Sequence, residues 1–426
     1  MYRVSSFVRR FAKALVAGAV LATVWVNLDP ASYYDAIEFR LADLDLPRWI
    51  APMGFSVTPL VVVSHGLMAL FLALIGKELW ETLVLGQGAL SGQRRGGLSG
   101  SGRTKIAAVT GAVLGAVAVW IGVGSGFGGA GIGVSGIETA AEAGFATGWP
   151  LPIGSDVALC YLFGSWAFGR GHPALHLLLL ITIALDVIAL LTLGLVFPAI
   201  GLRLIWLSLS VAAVALVWFF CARKARPGAT EKARRRALTR WPYALAGLFC
   251  WLGVALAGLP PTLGLLPLIP VIPHADRSFG LFAEAEELLH DPLNGLAQLL
   301  VWPVLLTLFL FGFSRGGVDL AAFAPTTVSV LAALWIGKPL GLIAAVVVAG
   351  LWFGALLPAG VRLGDVALIG LLTGIGFTVP VLAIDAALPG GAMNEAARLG
   401  LALSLLAGPL AVLLARLTGA RRRRPA

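Results

Sequence analysis

The chain has 426 residues, 59% hydrophobic and only 12% charged, with a mean hydropathy of +0.92. That composition excludes a soluble multidomain protein and a single-anchor enzyme: about 251 apolar residues, at about 20 per span, allow up to about a dozen transmembrane helices. The net charge of +10 does not imply nucleic acid as a partner, because the basic residues gather in alternate loops, where they set topology and meet anionic lipid headgroups.

Apolar stretches predict about twelve helices, near residues 12–28, 57–79, 106–123, 149–168, 173–197, 203–221, 241–257, 261–273, 293–313, 325–350, 364–387 and 395–415. The first follows Arg9, Arg10 and Lys13 and lacks a small-x-small exit before Asn27-Leu28-Asp29-Pro30, so it reads as a retained span and not a cleaved signal. An acidic segment with Asp29, Asp35, Glu38, Asp43 and Asp45 separates spans one and two, which together occupy residues 12–88. Residues 89–105 form a flexible Gly/Ser/Arg loop. A Gly-rich outer loop is expected from Gly122 to Gly136. Asp276 to Asp291, with Glu284, Glu286 and Glu287 among Leu and Phe, reads either as a solvated connection or as an interfacial helix. Residues 416–426 are a basic tail. With the N-terminus inside, 25 of the 31 Lys and Arg fall on the inner side, five outside (Arg40, Arg48, Arg203, Arg315, Arg398), and Lys338 within a span. This asymmetry places both termini in the cytoplasm.

The expected fold is therefore an all-α polytopic membrane protein in one transporter domain. Spans three to five (106–197) and ten to twelve (325–415) form triplets that a shift of seven spans sets in opposite orientation, the geometry of an inverted repeat, with spans six to nine (203–313) between them. The middle span of each triplet carries helix breakers: Trp149-Pro150-Leu151-Pro152-Ile153-Gly154-Ser155-Asp156 in span four and Gly374-Ile375-Gly376-Phe377-Thr378-Val379-Pro380 in span eleven. Broken helices in corresponding positions point to an ion site near the bilayer midplane.

An ionisable side chain at the centre of a span costs about 2.5–3.5 kcal/mol, so each requires a partner or a use. Asp156 follows the break in span four and reads as an N-cap, a cation ligand at a half-helix terminus, or both. Asp186 lies in ITIALDVIALLTL with no local backbone break. Loss of water favours a protonated carboxyl and a nearby cation favours the ionised one, so such a group can trade a proton for a metal ion; the alternative is a paired structural carboxylate. Lys338 precedes Pro339, between Gly337 and Gly341, which permit close helix packing. It either pairs with a carboxylate or loses its proton. Asp385 sits near the outer end of span eleven. Glu78 and Glu81, beside Lys77, form either a solvated inner helix end or an entry funnel for cations. His65 reads as a packing histidine or a proton sensor.

His172, His176, His274 and His290 show no metal spacing, and Cys160, Cys221 and Cys250 read as packing residues. No phosphate-binding loop, nucleophile elbow, zinc-protease or dinucleotide motif is present, so no enzyme constellation is expected and no cofactor.

At these positions the sequence resembles the NhaA-type sodium/proton antiporter family. Ser64-His65-Gly66-Leu67-Met68-Ala69 with Leu74-Ile75-Gly76-Lys77-Glu78 is similar to the family's Asn-Asp-Gly-Leu-Met-Ala and Val-Gly-Leu-Glu segment. Pro152-Ile153-Gly154-Ser155-Asp156-Val157-Ala158 is similar to its Pro-Ala-Ala-Thr-Asp-Ile-Ala break. Ile336-Gly337-Lys338-Pro339-Leu340-Gly341 matches its lysine motif, and Gly374-Ile375-Gly376-Phe377-Thr378 its second broken helix.

The resemblance implies twelve helices, broken helices crossing at Gly154 and at Gly374, Gly376 and Thr378, and exchange of Na⁺ or Li⁺ for protons by alternating access in a bacterial-type inner membrane. It makes Asp156 and Asp186 the Na⁺ or Li⁺ site with Ser155 beside them, and Lys338 a charge partner or proton carrier. It also implies a homodimer, with the segment from Asp43 to Phe55 as outer dimerising element. The chain departs from the pattern in span five, where the family has adjacent aspartates and this sequence has Leu185-Asp186. His65 replaces an acidic residue, and the family's span-eight histidine falls at Pro260. With Leu185 unable to neutralise Lys338, Asp186 is the nearest candidate partner and Asp385 a substitute. Glu78, Glu81 and His65 are candidates for the cytoplasmic funnel or pH sensing. Three functional readings stay open: a Na⁺ or Li⁺/H⁺ antiporter, a non-transporting subunit that binds a protein partner, and an ion-coupled transporter of an organic anion.

Overall fold

A computed structural model describes residues 7–44, 55–81, 100–129, 144–169, 171–198, 201–221, 239, 241–273, 292–354 and 356–419. Backbone polar groups have no water to bond inside a bilayer, so a chain this apolar satisfies them within helices. Among the described residues seven helices are long and apolar enough to cross a membrane, and an eighth crossing is formed by two helices bent 51° at a break. The long ones are α1 (Phe7–Leu28), α3 (Pro59–Trp80), α4 (Gly100–Gly129), α6 (Pro173–Val196), α10 (Pro292–Arg315), α11 (Pro325–Phe353) and α14 (Ala392–Leu417); the bent pair is α12 (Leu363–Thr373) and α13 (Thr378–Ala387). The remaining expected spans hold shorter apolar helices: α5 (Val157–Ala167), α7 (Leu204–Phe220), α8 (Trp241–Leu256) and α9 (Pro261–Val271). In α9 the prolines at 261, 267 and 270 leave only 3₁₀ turns, at Pro261–Leu263 and Leu266–Val271.

Three regions differ from the sequence reading. Within the acidic segment between spans one and two, Pro30–Glu38 forms a helix, α2. Pro30 stands in its first turn, Asp29 caps it by accepting the Ser32 N–H at 3.2 Å, and Tyr33 and Ile37, one turn apart, are buried. The capping bonds hold the Asp29 carboxyl below its usual range. Beyond α2 the segment from Asp43 to Phe55 begins and ends in strands, β1 (Ala42–Leu44) and β2 (Phe55–Val57), paired antiparallel with Asp43 opposite Ser56. The Gly-rich stretch after Gly122 continues α4 as far as Gly129. The expected interfacial segment Asp276 to Asp291 lies outside the described residues, as does most of the linker before α4.

Two helix pairs are drawn together through glycine. A Cβ built on Gly18 of α1 would lie 2.1 Å from the Phe309 carbonyl of α10, and one on Gly312 would lie 2.2 Å from the Leu15 carbonyl. On α4 and α11, a Cβ on Gly115 would lie 2.2 Å from the Gly337 carbonyl, and one on Gly341 2.2 Å from that of Gly111. Such small-residue stripes let backbones touch where lipid supplies no hydrophobic drive for association. α11 also carries a π-helical segment, Ala333–Gly337, directly before Lys338, whose N–H bonds the Ala333 carbonyl five residues back. The extra residue in that turn, followed by Pro339 without an N–H, sets the direction in which Lys338 leaves the helix.

Candidate functional site

The two breaks meet. In the first, a 3₁₀ turn over Leu151–Ile153 gives way to extended backbone at Gly154 (ψ 161°), and α5 restarts after Asp156. In the second, α12 ends at Thr373 and α13 starts at Thr378. Gly154 has little room: a Cβ there would touch Pro380 and Val379 of α13 at 3.0 Å. Freed carbonyls and N–H groups from both breaks therefore face one small volume.

Asp156 is fully buried and caps α5, its Oδ1 accepting the Leu159 N–H at 2.7 Å while Oδ2 accepts the Thr378 N–H of the other break at 3.3 Å. Asp186, on α6, is also fully buried. Its Oδ1 accepts the Ser155 N–H at 2.7 Å, whereas Oδ2 has no hydrogen bond; nor has the buried Thr378 hydroxyl. Lys338 is fully buried as well. Its ammonium donates to the Gly154 carbonyl, to the Thr373 carbonyl at 3.0 Å and to the Ser155 hydroxyl at 3.1 Å. The Ser155 hydroxyl in turn donates a hydrogen bond to the Thr373 carbonyl at 2.8 Å. Three donors thus meet three acceptors, the pattern an ammonium satisfies completely.

Lys338 therefore makes no ion pair among the described residues; neutral oxygens from both breaks hold it. Asp385, considered above as its substitute partner, stands elsewhere: it pairs with Arg315 of α10 and, at 3.3 Å, with Arg398 of α14. Arg315 also donates to the Ser64 hydroxyl at 2.8 Å, Arg398 lies 3.6 Å from Glu395, and Glu395 accepts from the Tyr34 hydroxyl of α2 at 3.2 Å. This cluster ties the C-terminal half of α13 to α2, α3, α10 and α14. Sequence reading counted Arg315 and Arg398 on the outer side, Arg398 at the start of the expected span 395–415, and missed the cluster; an arginine in FLFGFSRGG was the available signal.

The other candidates lie apart from the breaks. Lys77 bridges Glu78 at 3.0 Å and Glu81 at 2.9 Å in a buried ion cluster at the end of α3. His65 sits in a π-helical stretch, Val62–Leu67, where its carbonyl accepts the Trp251 indole N–H at 2.9 Å. Leu185 is fully buried beside Asp186. The second break is braced by Ser404 of α14, whose hydroxyl accepts the Gly376 N–H at 3.1 Å, and by the Cys160 thiol of α5, which donates to the Leu372 carbonyl at 3.0 Å. Gly374 packs onto α11, where a Cβ would come 2.5 Å from the Leu334 carbonyl. Thr373 and Ser404 were not singled out from the sequence, and Cys160 was read only as a packing residue, although a helix break in a membrane always leaves carbonyls that something must satisfy.

A family model described as Na⁺/H⁺ antiporter 1 matches residues 8–415. The chain is 36% identical over 437 residues to the Na⁺/H⁺ antiporter NhaA of Jannaschia sp. (strain CCS1), covering 98% of each chain. It is 30% identical over 422 residues to the Na⁺/H⁺ antiporter NhaA of Geobacter sulfurreducens, again covering 98% of each. To that of Geotalea uraniireducens it is 28% identical over 423 residues, covering 98% of this chain and 97% of the other.

Proposed function

The chain belongs to the Na⁺/H⁺ antiporter 1 family, and we propose that it exchanges Na⁺ or Li⁺ for H⁺ across a bacterial inner membrane by alternating access, with Asp186 and Asp156 as the shared cation and proton site. The family consists of transporters and not enzymes; Na⁺ and H⁺ are its substrates. The observation that carries the residue assignment is the Asp186 Oδ2 atom, buried without a hydrogen bond where two helix breaks meet. An ionised carboxylate oxygen left in that state is costly, and either a proton or a bound cation relieves the cost. Occupancy by one excludes the other, which is the competition that couples their fluxes. Asp156 and the Thr378 hydroxyl supply further oxygens for a small hard cation, while Lys338 and Ser155 fix the first break to the second.

Charge arithmetic sets the stoichiometry. Asp156, Asp186 and the Lys338 ammonium sum to minus one when both carboxylates are ionised, and one Na⁺ or one proton neutralises that sum. With Leu185 contributing no second proton and Lys338 satisfied as an ammonium, the exchange is one for one and moves no net charge. The two triplets of spans, 106–197 and 325–415, serve as the inverted repeats that expose the site alternately. Both termini are cytoplasmic in this arrangement.

The test is proton flux in proteoliposomes on adding Na⁺, Li⁺ or K⁺, with membrane potential free or clamped. Wild type responds to Na⁺ or Li⁺ with the same initial rate at either potential, and Asp186→Asn, which keeps an acceptor for the Ser155 N–H, does not respond. Flux that survives in Asp186→Asn refutes the site; flux that follows the potential refutes the stoichiometry; no flux from folded wild type refutes antiport itself.

A further inference from the structure

A groove of about 230 Å³ runs beside the breaks, walled by Val16, Val20 and Val24 of α1, Leu159 of α5, Phe377 of the second break and Leu405 of α14. Its lining is apolar, and Thr23, the polar side chain in the wall, is satisfied by donating to the Gly316 carbonyl at 3.1 Å. Val20 and Val24 are 55% and 53% exposed, so the groove opens sideways, toward the hydrocarbon. Positions 9, 13, 16, 20 and 24 recur at four- and three-residue spacing and share one face of α1. Arg9 and Lys13 therefore stand on the same stripe as the groove, toward the basic end of the helix. Lys13 is exposed, and the buried Nε of Arg9 has no hydrogen-bond partner among the described residues. α14, which supplies the opposite wall, carries an exposed Arg416 in its last turn.

We infer that this face binds one anionic phospholipid, its phosphate on Arg9 and Lys13 and an acyl chain in the groove between α1 and α14. Length supports the fit. One leaflet contributes about 15 Å of the hydrocarbon core, and at about 1.5 Å per residue that reaches from Lys13 to the level of Thr23, the far part of the groove. Charge selects the headgroup, since Arg and Lys near a membrane surface favour anionic lipid, and Lys13 and the part-exposed Arg9 present two such charges on the stripe that leads into the groove. Because Leu159 follows Asp156 by three residues and Phe377 lies between α12 and α13, the chain end would touch both broken helices.

Native mass spectrometry of the full chain in detergent tests this with phosphatidylglycerol, phosphatidylcholine of the same acyl chains, and inorganic phosphate. Phosphatidylglycerol is retained above phosphatidylcholine, and Arg9→Gln with Lys13→Gln lowers its binding about 30-fold, about fivefold for each basic residue. Ala402→Phe, which fills the groove, removes both lipids, and thermal unfolding checks that the variant is folded. A diazirine at the chain terminus crosslinks to Val20 or Leu405 in wild type, a readout independent of any variant. Equal retention of the two lipids, unchanged binding in the Arg9/Lys13 variant, crosslinks confined to other helices, phosphate bound as tightly as the lipid, or a second copy of the chain crosslinked through Val20 each overturn the inference. None of these readouts depends on ion exchange.

Discussion

Replacing Gly341 by alanine tests whether the contact between α4 and α11 positions Lys338. The new Cβ would lie 2.2 Å from the Gly111 carbonyl and 2.7 Å from the Gly115 Cα, where ordinary contact begins at 3.4 Å. Both neighbours are backbone, so no side chain can swing aside, and the helices must part by about 1 Å. Lys338 lies one turn before Gly341, and the same displacement takes its 3.0 and 3.1 Å bonds to Thr373 and Ser155 beyond hydrogen-bonding reach. Overpacking of this kind costs about 1–3 kcal/mol, and a misplacement of about 1 Å in a preorganised site costs about 100-fold in rate. Gly341→Ala is therefore expected to lower the thermal midpoint by a few degrees and to reduce Na⁺-driven proton flux in proteoliposomes by about two orders of magnitude. Gly122→Ala, on the same helix as Gly111 but with nothing within 4 Å of the new Cβ, is the control, neutral or stabilising by up to about 1 kcal/mol. Combining Gly111→Ala with Gly341→Ala should cost less than the sum, since one separation relieves both clashes. Wild-type flux and midpoint in Gly341→Ala would show that the glycine contact does not set the position of Lys338.

Asp385→Asn leaves Arg315 and Arg398 facing each other without their shared carboxylate; with Asp385 about a third exposed, the expected loss is about 2 kcal/mol, below that of a fully buried pair, and an unchanged thermal midpoint would dismiss the cluster as a tie. His172 caps α6 through Nδ1, which accepts the Ala174 N–H at 3.2 Å, and burial holds the imidazole below its ordinary 6.5 against the opposing pull of Asp365. A base depressed in the fold contributes stability above pH 6.5 that is lost as the pH falls below it. His172→Asn keeps a cap without titrating, so the wild-type midpoint should fall relative to the variant's on acidification from about pH 7 to about pH 5; a constant difference would contradict the assignment. Ser155→Ala removes an acceptor from Lys338 and a donor to Thr373 at once, and is expected to cost about 1–3 kcal/mol together with flux, whereas Ser155→Thr retains both.

Much of this arrangement is legible in the sequence because a bilayer enforces its rules on every residue. Runs of apolar residues must be helical, and WPLPIGSD and GIGFTVP can only interrupt a helix where something satisfies the freed backbone. Asp156, Asp186 and Lys338 were conspicuous for the same reason. The partners were not. A lysine in a span suggests a carboxylate, but the breaks themselves supply acceptors, and only their three-dimensional meeting shows that the Gly154 and Thr373 carbonyls with the Ser155 hydroxyl suffice. Asp385 was free to be matched with Lys338 only while Arg315 and Arg398 were counted as unpaired outer-side charges. α2 was hidden because Tyr33 and Ile37 bury in a cluster with Ala22 and Val26 of α1, a tertiary contact without a long apolar run, and the three-residue strands β1 and β2 are too short to show alternation. Periodicity is also silent about π-helical turns, which alter phase without altering composition.

Considered as an insertion, the π-helical turn at Ala333–Gly337 constrains how this sequence can change. A π-turn absorbs one residue beyond the α-helical count while its flanks keep their phase, so deleting any one of the five residues would restore an unbroken α-helix with Pro325–Ala332 and Lys338 still on their own faces. A deletion elsewhere in α11 would instead turn one flank against the other by about 100°, and either the lysine would leave the breaks or Pro325–Ala332 would lose its seat against α14. The turn is therefore the one stretch of α11 where a change of length is expected to be tolerated better than it is in the α-helix on either side.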